Sequence, residues 1–291
     1  MLTVLVTEAG GPAAVGLIKS LKSVASNVKT VATDINPLAS GIHMADHGVT
    51  VSHASEVGYI DELLFLIKEH QVNLIIPTGE HDLHKLSKNR ERIENLGCKI
   101  FVSDQEVVDV CQDKFKFYKH LKQTSVPLPL TFSKDMILKP KRGSGSRGIK
   151  VIRSQDCIIQ EYLSGKEYTV DVFCDMSSKI IGHVIRERVA TKAGISTISK
   201  VVQNRNISSI IEAVIKHLPI KGPACIQLKE DENGNPHVIE CNPRLGGGTY
   251  VSTLAGVNCA DIYINMLLNK PNTKQKPKKI VVTRYFEEIV I

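Results

Sequence analysis

The run Val238-Ile-Glu-Cys-Asn-Pro-Arg-Leu-Gly-Gly-Gly248 decides how this chain is read. Side chains of a strand alternate between its faces, so Glu240 and Asn242 share one face. Arg244 extends that face beyond the strand's end. Upstream, Ala224-Cys-Ile-Gln-Leu228 alternates in the same way, and Asp231-Glu-Asn-Gly-Asn235 between the two runs is a hairpin turn signal. A hairpin sets Gln227 beside Glu240 and Asn242. One carboxylate and two amide carbonyls form an all-oxygen set suited to Mg2+, an ion that keeps octahedral geometry and shares its sphere with substrate phosphates. Arg244 can then clasp a phosphoryl group bidentately. A polar sheet edge would give the same alternation, but it does not account for Asn-Pro-Arg-Leu-Gly-Gly-Gly at the end of a strand.

Two earlier segments carry related chemistry. Ile137-Leu-Lys-Pro-Lys-Arg-Gly-Ser-Gly-Ser-Arg-Gly148 delivers Lys139 from a strand into a Gly/Ser loop. Glycines let backbone N–H groups turn toward phosphate oxygens. Gly143, Gly145 and Gly148 do this here, with hydroxyls from Ser144 and Ser146 and the charge of Arg147. No Gly-Lys-Ser/Thr opens a helix, so this is not the Walker pattern. In Ile158-Ile-Gln-Glu-Tyr-Leu-Ser-Gly-Lys-Glu-Tyr-Thr-Val-Asp171, the backbone at Tyr162 and Leu163 can meet a purine edge, and Glu167 can accept both ribose hydroxyls. Alone, the first reads as well as a basic surface turn, and the second as a hairpin with exposed acids. Order and spacing carry the weight.

The N-terminal part alternates short apolar runs with helical spacing. Strands are expected at residues 2–6, 28–33, 72–76 and 99–102, and helices at 13–24, 61–70 and 81–95. This rhythm predicts a right-handed, doubly wound parallel sheet whose ligands sit at the carboxyl ends of the strands. Those ends carry Glu8-Ala-Gly-Gly11, Asp34 and Thr78-Gly-Glu80. The rhythm changes after Gln112, with a boundary expected within 103–112. Strands are then expected at 136–139, 149–152, 158–160, 168–174, 179–185, 224–228, 237–241 and 280–285, and helices at 113–123, 207–218, 250–255 and 260–268.

Bulk composition bounds the class. The 291 residues are 42% apolar and 23% charged, as in a globular protein, and no apolar run approaches the roughly 18 residues of a membrane span. Trp is absent and aromatics are few, so base-stacking platforms are poorly supplied and no nucleic-acid partner is expected. Net charge is +7, partly in the Lys274–Lys279 run, which suits an anionic nucleotide substrate. The seven cysteines are scattered without a C-x-x-C pair, which argues for reduced thiols and a cytoplasmic setting. The N-terminus lacks a basic segment followed by an apolar one, so no secretory signal is expected.

In the order Asp113-Lys114, Leu138-Lys-Pro140, Arg142–Gly148, Gln160–Glu167 and Ile239–Arg244, the chain resembles the ATP-grasp superfamily, and within it the carbamoyl-phosphate-synthase-like carboxylate–amine ligases. The resemblance implies a pre-ATP-grasp Rossmann-like domain over residues 1–108. A two-subdomain α+β ATP-grasp domain follows over 109–291, with a lid near 127–165. It implies that Lys114 and Lys139 grip ATP phosphates under a flap from Gly143 to Gly148. Glu161, Tyr162 and Leu163 resemble the adenine hinge, and Glu167 the ribose ligand. Gln227, Glu240 and Asn242 resemble the magnesium ligands; the resemblance implies two such ions, for which Mn2+ can substitute. Arg244 resembles the residue that stabilises the transferring phosphoryl, with Lys139 assisting. The implied reaction converts a small-molecule carboxylate to an acyl phosphate, which an amine then displaces to form an amide.

Glu80, Arg186, Arg188, Lys192, Gly246, Gly247, Gly248 and Arg284 are further substrate-contact candidates, although Arg186 and Arg188 read equally as exposed arginines on a sheet edge. Only Arg153-Ser-Gln-Asp-Cys157 stands where relatives have a helix, so the lid is expected to be short. A homodimer or a partner subunit is compatible with the family. The alternatives are a carbamoyl-phosphate-synthase-type kinase or subunit, and a non-catalytic ATP-binding regulatory module.

Overall fold

A computed structural model describes residues 1–24, 26–142, 148–273 and 275–291. Its N-terminal part is a parallel sheet of β1 (Leu2–Val6), β2 (Val28–Asp34), β3 (His47–Thr50), β4 (Leu74–Ile75) and β5 (Lys99–Ile100), in the order β3-β2-β1-β4-β5. Alternation in β1 feeds two cores. Val4 and Val6 pack with Ala14, Leu17 and Ile18 of α1 (Pro12–Lys22), while Leu5 packs with Leu63 and Ile67 of α3 (Tyr59–Glu69). Helix α1 begins where Gly11 caps and Pro12 fixes φ without losing a bonded N–H. Strand order reverses at β1, so the crevice beside its carboxyl end is the expected ligand site of such a sheet.

Some local expectations need correction. Helix α2 (Ser40–Met44) and β3 occupy a segment that shows no clear periodicity. The helix expected over 81–95 divides at Asn89 into α4 (Leu83–Lys88) and α5 (Arg90–Glu94). The segment 103–112 carries α6 (Gln105–Gln112), whose Val107, Val108 and Cys111 are buried. Asp113 then caps α7 (Lys114–Leu121), its carboxylate accepting from the N–H groups of Phe115 and Lys116 at 2.9 Å.

The lid region holds two antiparallel strand pairs: β6 (Thr131–Phe132) with β9 (Ile159–Gln160), and β7 (Met136–Leu138) with β8 (Lys150–Ile152). Turns, not a helix, fill the segment between β8 and β9.

The larger sheet is antiparallel throughout. It contains β10 (Glu167–Cys174), β11 (Ile180–Lys192), β12 (Ile195–Val202), β13 (Pro223–Glu230), β14 (Pro236–Asn242) and β15 (Val281–Thr283), in the order β14-β13-β10-β11-β12-β15. Strand β11 runs on past the expected end at 185, through both arginines to Lys192, and β12 lies outside the expected strands. One face is apolar: Val170, Val172, Ile226, Leu228 and Cys241 pack on Phe117 and Leu121 of α7 and on Ile207, Ile211 and Val214 of α8 (Arg205–His217). Helices α9 (Tyr250–Leu254) and α10 (Cys259–Leu267) cover one end of the other face and join it to α1 through Val251, Ala255 and Tyr263. The rest of that face opens onto the crevice. Among the described residues no helix is long and apolar enough to cross a membrane.

Candidate active site

Register assembles the site. Glu240 lies opposite Gln227, Gln227 opposite Thr169, and Thr169 opposite Arg186. Asn242, Cys225 and Asp171 form the next row. The β13–β14 register shifts between Gln227 and Leu228, leaving Ile239 as an extra residue. This bulge turns Val238 into the core with Cys241 while Glu240 and Asn242 stay on the crevice face. Lys114 opens α7 within reach of that row, its Nζ 3.6 Å from Oε1 of Glu240.

Between this wall and the loops of the parallel sheet lies a cavity of about 350 Å³. Arg186, Arg188 and Arg244 contribute three guanidiniums, and Glu8 and Glu80 face them. Arg186 is not an exposed edge residue. It is 1% exposed and donates from Nε and Nη2 to the two oxygens of Asp171, each at 2.8 Å. Asp171 also accepts from the hydroxyls of Thr249 (3.2 Å) and Ser252 (2.5 Å). Arg188 bridges three groups: Oε1 of Gln227 at 3.1 Å, Oε1 of Glu167 at 3.0 Å and the Gly194 carbonyl at 2.6 Å. Arg244 donates to Glu80 at 2.8 Å and to the Leu245 carbonyl at 3.0 Å, while its buried Nε has no protein partner among the described residues. Cys225 also lines the cavity, but burial pushes its thiol up to about 12, so it is a poor nucleophile.

The glycines after Arg244 are spatial requirements. A Cβ at Gly246 would lie 2.6 Å from the Cys225 sulfur, and one at Gly248 would lie 2.5 Å from Nη1 of Arg186. Gly247 presents its carbonyl to Nη1 of Arg284 at 2.9 Å. Burial, then the charge of Arg186, lowers the pKa of Arg284. Arg284 thus supports the rim from behind and does not line the cavity. Nor does Lys192, whose ammonium sits 6.0 Å from the centre of the Phe286 ring.

Gly143, Ser144, Gly145, Ser146 and Arg147 lie outside the described residues. Gly148 has φ +77, a conformation that favours glycine, and Lys139 is exposed just beyond β7. Glu161 ties its carboxylate to the Leu130 N–H at 3.0 Å, Leu163 is buried, and Tyr162 is exposed with the Lys229 ammonium 5.3 Å from its ring centre.

Sequence reasoning missed Asp171, although period two along β10 places it on the face of Glu167. It also left Glu8 without a role. Glu8 has φ +48, and its Oε1 accepts from the N–H groups of His81 (2.9 Å) and Asp82 (3.2 Å). Its Oε2 lies 3.2 Å from Nδ1 of His81, and this hydrogen bond and charge raise the imidazole's pKa. Asp82 behind it is fully buried; desolvation, then the charge of Glu8, push its carboxyl up to about 7.

The residues present fit a hard cation. Glu240, Gln227 and Asn242 are all-oxygen donors on one face, and Lys114 already marks the negative potential of Glu240. Among the described residues no group of three or more His, Cys, Asp or Glu could hold a metal. One carboxylate with two amides therefore leaves room in the sphere for phosphate oxygens.

A family model described as ATP-grasp in the biosynthetic pathway with Ter operon matches residues 153–289, and a PylC-like N-terminal domain model matches residues 4–101. The carbamoyl phosphate synthase large chain of Clostridium acetobutylicum is 24% identical over 255 residues, covering 73% of this chain and 24% of the relative. That of Agathobacter rectalis is 23% identical over 225 residues, covering 63% and 21%. The chain therefore spans about a quarter of the length of the curated relatives it matches. Among solved structures, the N5-carboxyaminoimidazole synthetase of Staphylococcus aureus has a TM-score of 0.69 at 14% identity, covering 95% of this chain and 80% of that one. The biotin carboxylase domain of Hydrogenobacter thermophilus 2-oxoglutarate carboxylase, a dimer solved with MgADP, ADP and bicarbonate, has a TM-score of 0.68 at 17% identity, covering 95% and 72%. An ATP-grasp family model and a PylC-like N-terminal domain model thus match residues 153–289 and 4–101, and the fold is similar to that of the N5-carboxyaminoimidazole synthetase.

Proposed function

We propose that this chain is an ADP-forming ligase that phosphorylates a small carboxylate and joins the resulting acyl group to an amine. The observation that carries the reading is the set of Glu240, Gln227 and Asn242 on the crevice face beside Arg244, over a cavity walled by three guanidiniums. Bound Mg2+ supplies charge neutralisation for the phosphates; Glu240, Gln227 and Asn242 would hold it. Lys114 exchanges its Glu240 partner for phosphate oxygens, and Lys139 approaches from the lid. Arg244, held by Glu80 and with its Nε unpartnered among the described residues, is placed to bind the phosphoryl group in flight. Arg186 and Arg188 draw the carboxylate into the cavity. No protein nucleophile is required: a carboxylate oxygen of the substrate attacks the γ-phosphorus, ADP leaves, and the amine then displaces phosphate. Such phosphoryl transfer depends on positioning and electrostatics.

The test is ADP release from Mg-ATP with a mixture of amino acids as acids and amines, for wild type and Glu240→Gln. Wild type should release ADP, and the variant should lose about 100-fold or more in turnover without a change in melting. Equal rates in the two proteins would sink the metal assignment. The carbamoyl phosphate synthase relatives, with the biotin carboxylase neighbour solved with bicarbonate, favour one second reading, with bicarbonate as the acid. ADP release that depends on added bicarbonate alone would select it.

A further inference from the structure

The cavity that holds the guanidiniums has a neighbour of opposite character. At the carboxyl ends of β1 and β2 lies a second cavity of about 350 Å³, lined by Glu8, Asp34, Thr33, Tyr59, His53 and His81. Glu8, Gly11 and His81 line both cavities, so they form the wall between them. The first cavity offers three guanidiniums. Among the described residues the second offers no lysine or arginine, and its permanent charges are the carboxylates of Glu8 and Asp34. Asp34 is already occupied by the N–H groups of Gly10 (2.7 Å) and Asn36 (2.9 Å). Glu8 keeps capacity on Oε2, which among the described residues meets the largely exposed imidazole of His81 alone, 71% accessible. Thr33 adds an independent sign of a ligand. It is fully buried and lines this cavity, yet its hydroxyl has no partner among the described residues.

The backbone is shaped around the Glu8 carboxylate. An acid at φ +48 sits where glycine is favoured. Residue 79 has no side chain, because a Cβ there would collide with the Glu8 carboxylate. The two residues together aim one carboxylate at the boundary of the two cavities.

Resting on the ligase reading above, we propose that the amine co-substrate binds in the second cavity as its ammonium, held by Glu8, and reaches through the shared wall to the acyl group. The partner is a cationic primary amine of about amino-acid size, an amino acid or a diamine. The acid enters on the guanidinium side and the amine on the carboxylate side, which sets the two reacting ends face to face. An incoming ammonium displaces the His81 imidazole from Oε2 and passes a proton to that oxygen; the freed amine attacks the acyl carbon, the C–N bond forms as the C–O bond to phosphate breaks, and phosphate leaves, while Oε1 continues to cap His81 and Asp82.

The test separates the amine from the rest of the chemistry. ADP release is measured for wild type and Glu8→Gln with the amino-acid and diamine mixture. It is then measured with hydroxylamine added in excess, a nucleophile that is uncharged near neutral pH and traps an acyl phosphate without help from a carboxylate. The amide oxygen introduced by Glu8→Gln can still accept the two N–H groups, so the variant loses charge and not the cap. The variant Glu8→Gly, relieved of its positive φ, serves as a second control. Both variants should lose roughly tenfold or more with the mixture, the loss of one ionic hydrogen bond, and stay within about twofold of wild type with hydroxylamine. Equal losses in both arms, or none in either, would overturn the amine site while leaving the ligase reading standing. No ADP from wild type in either arm would overturn the ligase reading, and the amine site with it.

Discussion

The wall formed by β10, β11, β13 and β14 and the lid formed by β6 to β9 face the same proposed nucleotide, yet they are built in opposite ways. The wall rests on a continuous core, and its charges are interlocked before any ligand arrives. Asp171 alone accepts from two of the three nitrogens of a buried guanidinium and from two hydroxyls. The lid consists of two short strand pairs that leave Ile137, Leu138 and Val151 more than half exposed. Two-stranded pairs without a covering layer are marginal in water. The wall is thus preorganised for charge, while the lid gains its partners from what it covers.

The largest expected effect tests the wall. Asp171→Ala strands the Arg186 guanidinium in the interior, and breaking such a buried pair costs about 3–5 kcal/mol. Urea unfolding should show that loss at unchanged slope. A loss below about 1 kcal/mol would mean that Arg186 turns to water in the cavity, and the contrast with the lid would fail.

Arg244 tests whether the wall acts in the transition state. Arg244→Ala should lower kcat by about 100-fold, near 2.7 kcal/mol, and leave the KM for ATP within about threefold. A rise confined to the KM would make Arg244 a ground-state contact, no different in kind from a lid residue.

How far these parts can be read from sequence follows the same division. The β14 row is legible because period two needs only local sequence, and Glu240, Asn242 and Arg244 fall on one face by spacing. The parallel sheet is legible from apolar runs between helical stretches. The Arg186–Asp171 pair is not, because it depends on the register between β10 and β11, which no local spacing fixes. Arg186 therefore reads as well for an exposed residue as for a buried one. Glu8 is hidden for another reason: nothing in Thr-Glu-Ala-Gly announces that Glu8, not a glycine, takes the positive φ. Helix α6 escapes a sequence reading because its eight residues mix Val107 and Val108 with Gln105, Glu106 and Asp109, too short a run for a clear period.

A smaller effect is expected in the lid itself. Lys139 is exposed, so Lys139→Ala should leave unfolding within about 0.5 kcal/mol of wild type. It should raise the KM for ATP roughly tenfold by removing one charge-assisted contact. A stability loss comparable with that of Asp171→Ala would show the lid to be part of the same cooperative unit.

The smallest effect sharpens the comparison most. The turn after β8 stands where relatives are expected to carry a helix, and Asp135 clasps it to the start of β7. Its carboxylate accepts from Ser154 N–H at 2.9 Å and from Nη1 of Arg153 at 2.8 Å. The Ser154 amide first, then Arg153, lower the pKa of Asp135, so the ionised clasp is favoured above the ordinary carboxylate range and lost as pH falls through the lowered value. At neutral pH the clasp is fully formed. Asp135→Ala should therefore leave the melting temperature of the ligand-free protein unchanged, because the group is exposed and the lid adds little to the core. It should nevertheless shrink the rise in melting temperature that Mg-ATP produces, since the nucleotide must then order a looser turn. An Asp135→Ala protein that melts earlier without ligand, and gains as much from Mg-ATP as wild type does, would show that the lid is held by its own contacts and not by the nucleotide.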